Sequence, residues 1–260
     1  MFYLIFLGIA FVIGIIFIIR NRGKGYDFLA DMADELKLET VYGMTNYSEL
    51  KGTFSDQEIV FSYATRWHRN HEARCLNIDL CIPEYSGFHY SIRKDTLSAE
   101  EERGFGVDDI LMNSEVFDKK IEIKGDNKAF LVSIVRHELR SFLLSPLLSC
   151  SFFQFTGGQI HFSIPWLVGG PMAKIEAIKL IKQLAFLNQF FYKNQSRERI
   201  AENLLYIIEH DPEFSVKANG IKTYLEIYGM DNALKSLFDT FINGNDTELK
   251  QLATQFRDKV

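Results

Sequence analysis

The chain has few residues that interrupt secondary structure or cross-link it, with five prolines and three cysteines among its 260 residues. The cysteines are Cys75, Cys81 and Cys150, an odd number without a C-x-x-C pair. Secreted disulfide frameworks use even numbers of cysteines, and structural zinc sites use closely paired ligands. The cysteine content therefore argues against both and favours reduced thiols in the cytoplasm.

An excess of positive charge is also missing. The chain has 29 lysines and arginines against 34 aspartates and glutamates, a formal net charge of −5. Proteins that bind duplex nucleic acid generally present a strongly basic face. We therefore expect no nucleic-acid partner for the chain as a whole, although a local basic patch is compatible with this balance.

Sequence signatures of catalysis and cofactor binding are absent. His137 and Glu138 begin an H-E pair, but Ser141 stands where a metalloprotease needs its second histidine. Gly157-Gly158 and Gly169-Gly170 lack the lysine of a phosphate-binding loop. Gly104-Phe105-Gly106 lacks the third glycine of a dinucleotide fingerprint. We interpret these glycines as turn and loop residues and expect no cofactor.

Metal and nucleophile sites are equally poorly supported. His68 and His71 precede Cys75 and Cys81, but the four residues lack the tight paired spacing of a zinc site. Cys150 lies in an apolar stretch without a nucleophile elbow, which is typical of a core cysteine. We therefore assign no metal ligand, no catalytic residue and no small-molecule substrate.

Charged residues are absent from Phe2 to Ile19, an apolar run of eighteen residues. As a helix it reaches roughly 27 Å, close to the hydrocarbon thickness of a bilayer. A cleaved signal peptide needs a basic region first, then a shorter apolar run and a small-residue cleavage site. The run has none of these features, so we predict a transmembrane anchor over residues 1–20.

Basic residues follow the run directly, at Arg20, Arg22 and Lys24. Cationic flanks stay on the cytoplasmic side of a membrane. We therefore predict a single-pass protein of the cytoplasmic (inner) membrane with its N-terminus outside and residues 21–260 in the cytoplasm. Residues 21–25 form a basic linker.

An α+β domain is predicted over residues 26–193, with an antiparallel sheet and packed helices. An amphipathic helix is expected over 26–38. Apolar alternation predicts strands near Leu50–Phe54, Ile59–Tyr63, Cys75–Ile82, Phe88–Ile92, Phe117–Lys124, Cys150–Phe155 and Gln159–Pro165. Helical periodicity predicts a helix from Gly125-Asp126 to Leu144 and another from Pro171 to about Tyr192.

An all-helical C-terminal extension is predicted over residues 195–260. Its four helices are expected near Arg197–Glu209, Glu213–Tyr228, Asp231–Ile242 and Thr247–Lys259. The segment from Asp211 to Lys217 is similar to the Asp-Pro-x-x-x-Val-Arg start of a HEAT-type repeat, with lysine in place of arginine. Stacked repeats normally need three or more units, so two helical hairpins packed on the main domain are the competing interpretation.

The central pattern also carries a resemblance. SEVFDKKIEIKGDN, VRHELRSFLL, a hairpin and LAFLNQFF follow one another, and DFLADMADELKLE precedes them. This order resembles a group of uncharacterised bacterial membrane-associated proteins. The resemblance covers roughly residues 26–192 and implies a fold, without an activity.

One local cluster of cationic and aromatic residues stands out in this acidic chain, consisting of Arg66, Trp67, His68, Arg69, His71 and Arg74. Such residues can meet anionic lipid headgroups, although a solvated hairpin tip has the same composition. We therefore treat the cluster as a candidate lipid or partner patch.

The sequence favours a non-enzymatic interaction or scaffold module at the cytoplasmic face of the membrane, with a protein partner. One alternative is a hydrolase that uses carboxylates among Asp108, Asp109, Asp118 and Asp126. The other is a peripheral sensor of anionic lipid or nucleic acid that uses the Arg66–Arg74 patch.

Overall fold

The computed structural model describes residues 32–41, 49–68, 71–94, 109–145, 148, 152–165 and 174–257. The predicted anchor and linker, with Arg20, Arg22 and Lys24, lie outside these residues. Among the described helices, none has the length and apolar character needed to cross a bilayer. Tertiary contacts divide the chain into two compact units, Met1–Pro83 with Ser163–Phe186 and Glu84–Phe162 with Leu187–Val260.

The structure is α+β, as the sequence predicts. Its strands are β1 Glu39–Val41, β2 Glu49–Phe54, β3 Gln57–His68, β4 His71–Cys81, β5 Tyr90–Lys94, β6 Ile121–Gly125, β7 Phe152–Thr156 and β8 Gln159–Pro165. Its helices are α1 Glu115–Asp118, α2 Lys128–Ile134, α3 His137–Leu143, α4 Lys174–Lys193, α5 Arg197–His210, α6 Phe214–Tyr228, α7 Asn232–Asn243 and α8 Thr247–Arg257. Residues 32–36 are also helical.

The first unit is built on an antiparallel meander in the order β1-β2-β3-β4. A two-residue turn joins β2 to β3, and both of its residues, Ser55 and Asp56, have positive φ, of 51° and 60°. This backbone conformation matches the twist of a tight hairpin. The strands predicted near Leu50–Phe54 and Ile59–Tyr63 are therefore the two arms of one hairpin.

The core of the first unit lies between this meander, the segment 32–38 and the first half of α4. Its buried apolar residues include Met32, Ala33, Leu36, Ile59, Phe61, Ile78, Leu80, Ala177, Leu180, Ile181 and Leu184. A buried polar contact joins the layers, because Gln57 Nε2 donates to the carbonyl of Ala185 at 2.8 Å. The alternation predicted for β3 and β4 is thus the pattern that buries one face of the sheet.

The second unit contains β5, β6, β7 and residues 159–162 of β8, in the order β8-β7-β5-β6, and the registers of β5 with β6 and β7 are antiparallel. Its core is aromatic. Tyr90 contacts the rings of Phe130 and Phe191 at centroid distances of 5.7 and 5.9 Å, and Phe155 contacts Phe191 at 6.0 Å. Strand β5, helix α2 and the end of α4 therefore share one apolar centre.

Four helices complete this unit, in two consecutive pairs. Helix α5 packs on α6, and α7 packs on α8, while α2 contacts both α5 and α6. Side-chain caps define two of the helix starts, since Ser196 accepts from the amide of Arg199 and Asp231 accepts from that of Leu234. The predicted C-terminal helices are confirmed, with bounds that differ by no more than two residues.

Two predicted elements are wrong in part. The strand expected over Phe117–Lys124 begins only at Ile121, because residues Glu115–Asp118 form the helical turn α1, which buries Phe117 completely. The single helix expected up to Leu144 is two helices. It is interrupted at Val135 and Arg136, where ψ is 61° and 167°, and its first cap is Asn127 rather than Gly125-Asp126.

Candidate functional site

The predicted lipid or partner patch lies at the turn between β3 and β4. Arg66, Trp67 and His68 end β3, while His71 and Arg74 lie on β4. Arg69 is outside the described residues. The register pairs Thr65 with Arg74, Trp67 with Glu72 and His68 with His71. The backbone thus gathers the patch at one end of a long hairpin.

A buried cluster of charges that the sequence analysis did not identify lies in the second unit. The side chain of Arg140 on α3 is 2% exposed and donates to both carboxylate oxygens of Asp211, at 2.9 and 2.8 Å. It also donates to Glu213 at 2.9 Å and to the carbonyl of Val135 at 3.2 Å. Burial alone would lower the pKa of Arg140, but its bonds to the two carboxylates raise it.

Asp211 has a second role in the turn between α5 and α6. One of its carboxylate oxygens accepts from the amide of Glu213 at 3.0 Å, which fixes the turn before α6. Asp211, the first residue of the segment that is similar to a HEAT-type repeat, therefore binds both its own turn and the neighbouring helix α3. Because Arg140 is buried and both of its terminal guanidinium nitrogens donate to groups of the protein, the cluster is structural rather than a substrate site.

Arg136, where α2 and α3 meet, forms a stack with aromatic rings. Its guanidinium carbon lies 4.3 Å from the ring centroid of Tyr206 and 5.3 Å from that of Phe190. It also donates to the side-chain oxygen of Asn203. Burial lowers the pKa of Arg136, opposed by the nearby Tyr206 and Glu138. The ring of His210 stacks on Tyr206 at 4.5 Å.

Polar residues of catalytic type lie beside this stack, but their geometry is that of a helix surface. Ser141 Oγ is 3.3 Å from His137 Nε2, one helical turn away, and both residues are exposed. Glu138 accepts from the hydroxyl of Tyr206 at 3.4 Å. Among the residues that the structure describes, no group of three or more histidines, cysteines or acidic residues is placed to hold a metal ion.

The carboxylates proposed for a hydrolase have separate local roles. Asp118 accepts from the amides of Met112 and Ser114, both at 3.1 Å, and burial raises its pKa against these hydrogen bonds. Asp126 accepts from the amide of His89 at 3.2 Å. Asp109 lies 3.8 Å from the ammonium of Lys124, and Asp108 is outside the described residues. Each described carboxylate therefore stabilises a loop or a strand end.

The glycines singled out in the sequence have the expected structural role where they are described. Gly157 and Gly158 form the turn between β7 and β8, and Gly158 has a φ of 72°. A Cβ atom on Gly158 would lie 2.5 Å from the side chain of Tyr85. Gly104–Gly106 and Gly169-Gly170 lie outside the described residues. Cys75 is buried and Cys81 partly buried.

Large apolar side chains are exposed on the segment before β6 and at the first residue of α6. Leu111 and Val116 are 56% and 58% exposed, and Phe214 is 37% exposed. The carbonyl of Leu111 accepts from Asn219 of α6 at 3.1 Å. Asp118, two residues after Val116, interacts electrostatically with Arg140, which binds Glu213. We call Leu111, Val116 and Phe214 the apolar surface of the second unit.

The comparison with known proteins adds no relative. No protein-family model matches the chain, and a search of curated proteins finds no similar sequence.

Proposed function

We propose that the protein is a membrane-anchored interaction module that holds a partner protein at the cytoplasmic face of the membrane. Residues 2–19 form its anchor, and Arg20, Arg22 and Lys24 retain the rest of the chain in the cytoplasm. The resemblance to bacterial membrane-associated proteins agrees with this placement.

The apolar surface carries the proposal. Single exposed apolar residues are common on proteins, but large apolar side chains exposed within one short segment, such as Leu111 and Val116, mark interaction sites more often. Leu111 and Val116 belong to a short segment held against α6 by the hydrogen bond from Asn219. Because that segment is fixed, a partner meets preformed apolar side chains and loses little conformational freedom in ordering them.

Ionic groups at the edge of the apolar surface support a protein partner. Glu115, which precedes Val116 on α1, and Lys119, which follows the end of α1, form an exposed i,i+4 ion pair of 2.6 Å. An apolar centre with a charged, solvated rim is the usual organisation of a protein interface. These features support a protein-binding surface on the segment that contacts α6.

Photo-crosslinking in cells tests the proposal. A photoreactive amino acid replaces Val116 in the full-length chain, and a matched chain carries it at Lys250, an exposed position of α8. We expect a discrete crosslinked species from position 116 that is absent from position 250. A second experiment places the photoreactive residue at position 111. Val116→Asp removes the apolar contact and is expected to abolish the crosslinked species there, whereas the control Lys120→Asp is expected to retain it.

A result of the opposite kind would refute the proposal. If positions 111, 116 and 214 all yield no specific species in membranes that contain the folded chain, the apolar surface binds no protein there. The proposal is also refuted if Val116→Asp and Lys120→Asp leave the crosslink from position 111 equally strong.

A further inference from the structure

Phe186 of α4 is 69% exposed, more than any other large apolar side chain that the structure describes. Val116 and Leu111 follow at 58% and 56%, but they belong to the second unit, whereas Phe186 belongs to the first. Phe186 therefore lies outside the apolar surface and has no role in the partner binding proposed above.

This phenylalanine lies on the solvent side of α4, with polar residues around it. The residues of α4 that pack into the core of the first unit are at most 1% exposed and include Ala177, Leu180, Ile181 and Leu184. Lys179, Lys182 and Gln183 are exposed. At 3.6 residues per turn, these three residues and Phe186 fall within about 100° of the helix circumference and roughly 10 Å along its axis. We call Lys179, Lys182, Gln183 and Phe186 the outer face of α4.

The outer face is positively charged although the chain is acidic. Helix α4 contains four lysines and one glutamate, whereas the chain as a whole has a formal net charge of −5. Neither Lys179 nor Lys182 forms an ion pair with a residue that the structure describes. The glutamate, Glu176, is exposed one turn before Lys179. Charge complementarity therefore favours an anionic occupant for this face.

We propose that the outer face of α4 lies on the headgroups of anionic phospholipids, with the ring of Phe186 in the headgroup layer and Lys179 and Lys182 on lipid phosphates. Interfacial helices combine lysines, which attract anionic lipid, with apolar side chains that enter this layer. The apolar stems of lysine side chains can cover the interface while their ammonium groups reach the phosphates. An acidic protein would satisfy the same charges, but the predicted anchor puts a lipid surface within reach of this face, so lipid is favoured.

The inference rests on the anchor of the proposed function. Each lysine near an anionic surface strengthens binding only about five-fold, so the outer face alone binds weakly. The anchor makes this contact intramolecular and raises the effective concentration of the face at the membrane. A weak contact is then sufficient to hold the first unit against the leaflet.

Quenching of a label at position 183 tests the contact. A fluorescent amino acid replaces Gln183 in the full-length chain, and a matched chain carries it at Gln255, an exposed glutamine of α8. Each chain is reconstituted in vesicles that contain a lipid with a nitroxide on its headgroup, with or without phosphatidylglycerol. We expect strong quenching at position 183 with the anionic lipid, little with neutral lipid alone, and little at position 255 in either.

Charge variants of the chain labelled at position 183 test the role of the lysines. Lys179→Gln with Lys182→Gln removes two cations and is expected to weaken the bound state by about thirty-fold. Lys179→Arg with Lys182→Arg keeps the charge and is expected to retain quenching. Replacement of the exposed Lys235 and Lys250 by glutamine makes the same charge change in the second unit and is expected to have no effect.

A variant of Phe186 separates insertion from charge attraction. Phe186→Ser leaves the lysines in place and is expected to reduce quenching at position 183, because the ring no longer enters the headgroup layer. Leu111→Ser is the control, since it removes an apolar side chain of similar exposure from the second unit, and it is expected to leave quenching unchanged.

Three results would overturn the inference: equal quenching at position 183 in neutral and anionic vesicles, quenching there no stronger than at position 255, or unchanged quenching in the double Lys→Gln or the Phe186→Ser variant. A photoreactive residue at position 183 that crosslinks to a protein in cells, without quenching in anionic vesicles, would assign the face to an acidic protein and overturn it as well.

Failure of the anchor is a separate result. If the chain does not float with neutral vesicles, the anchor is refuted. Quenching at position 183 by anionic vesicles added to that chain would then still support the outer face of α4, and its absence would overturn it.

Discussion

At the scale of single residues, backbone conformation explains the most predictable part of the structure. The turn of Gly157-Gly158 follows from local rules, because glycine adopts positive φ without steric cost. The same rules could not identify Arg140. Its carboxylate partner Asp211 lies 71 residues later in the chain, and no local pattern links a helix residue to a turn that distant.

Gly158→Ala is expected to destabilise the protein by more than Gly229→Ala. Both glycines have positive φ, of 72° and 68°, but a Cβ atom meets Tyr85 at position 158 and has nothing within 4 Å at position 229. Both substitutions strain a backbone of positive φ, and the ψ of −166° at Gly229 is itself essentially restricted to glycine, so a larger loss at Gly158 reports the steric conflict with Tyr85. Denaturant unfolding of the full-length protein in detergent measures it, and equal losses for the two variants would contradict the contact.

At the scale of elements, hydrophobic periodicity predicted most helices and strands but gave wrong bounds where tertiary contacts determine the backbone. The interruption between α2 and α3 is one example. Apolar spacing continues through Val135, but the helix ends there, and the guanidinium of Arg136 stacks on the rings of Phe190 and Tyr206. The helical turn α1 is another. The carboxylate of Asp118 binds two amides of the preceding loop, which outweighs the strand preference of the sequence around Phe117.

Arg140→Met is expected to destabilise the second unit by about 3–5 kcal/mol, because it leaves the buried carboxylate of Asp211 without its partner. Arg199→Met is the control. Arg199 forms an exposed ion pair with Glu202, at 2.7 Å, and its loss should change stability by less than about 0.5 kcal/mol. Denaturant unfolding followed by circular dichroism measures both.

A double variant separates the ion pair from lost packing. Arg140→Met combined with Asp211→Asn removes the unpaired charge, so the two losses should be far from additive. Additive losses, or a loss from Arg140→Met no larger than that from Arg199→Met, would show that the cluster does not join α3 to the turn before α6.

At the scale of the whole molecule, the predicted location in the cytoplasmic membrane rests on composition and on the opening apolar run. The fold class was accessible from sequence because alternation and helical spacing are local properties. The candidate interaction surfaces were accessible only in part. The Arg66–Arg74 patch is contiguous in sequence, whereas the apolar surface combines Leu111 and Val116 with Phe214, about a hundred residues apart, and required the folded structure.

The orientation of the chain is expected to depend on its three basic flanking residues. Replacing Arg20, Arg22 and Lys24 by glutamine, with two lysines inserted after Met1, moves the positive charge to the other end of the apolar run. Cationic flanks resist translocation, so a substantial fraction of the chain should invert. Alkaline phosphatase fused after Val260 is active only outside the cytoplasm. The unaltered chain should therefore be inactive in this assay and the altered chain active. Equal activity from both would show that these cations do not set the orientation. Activity from the unaltered chain would place residues 21–260 outside the cytoplasm, where the apolar surface could not meet a cytoplasmic partner.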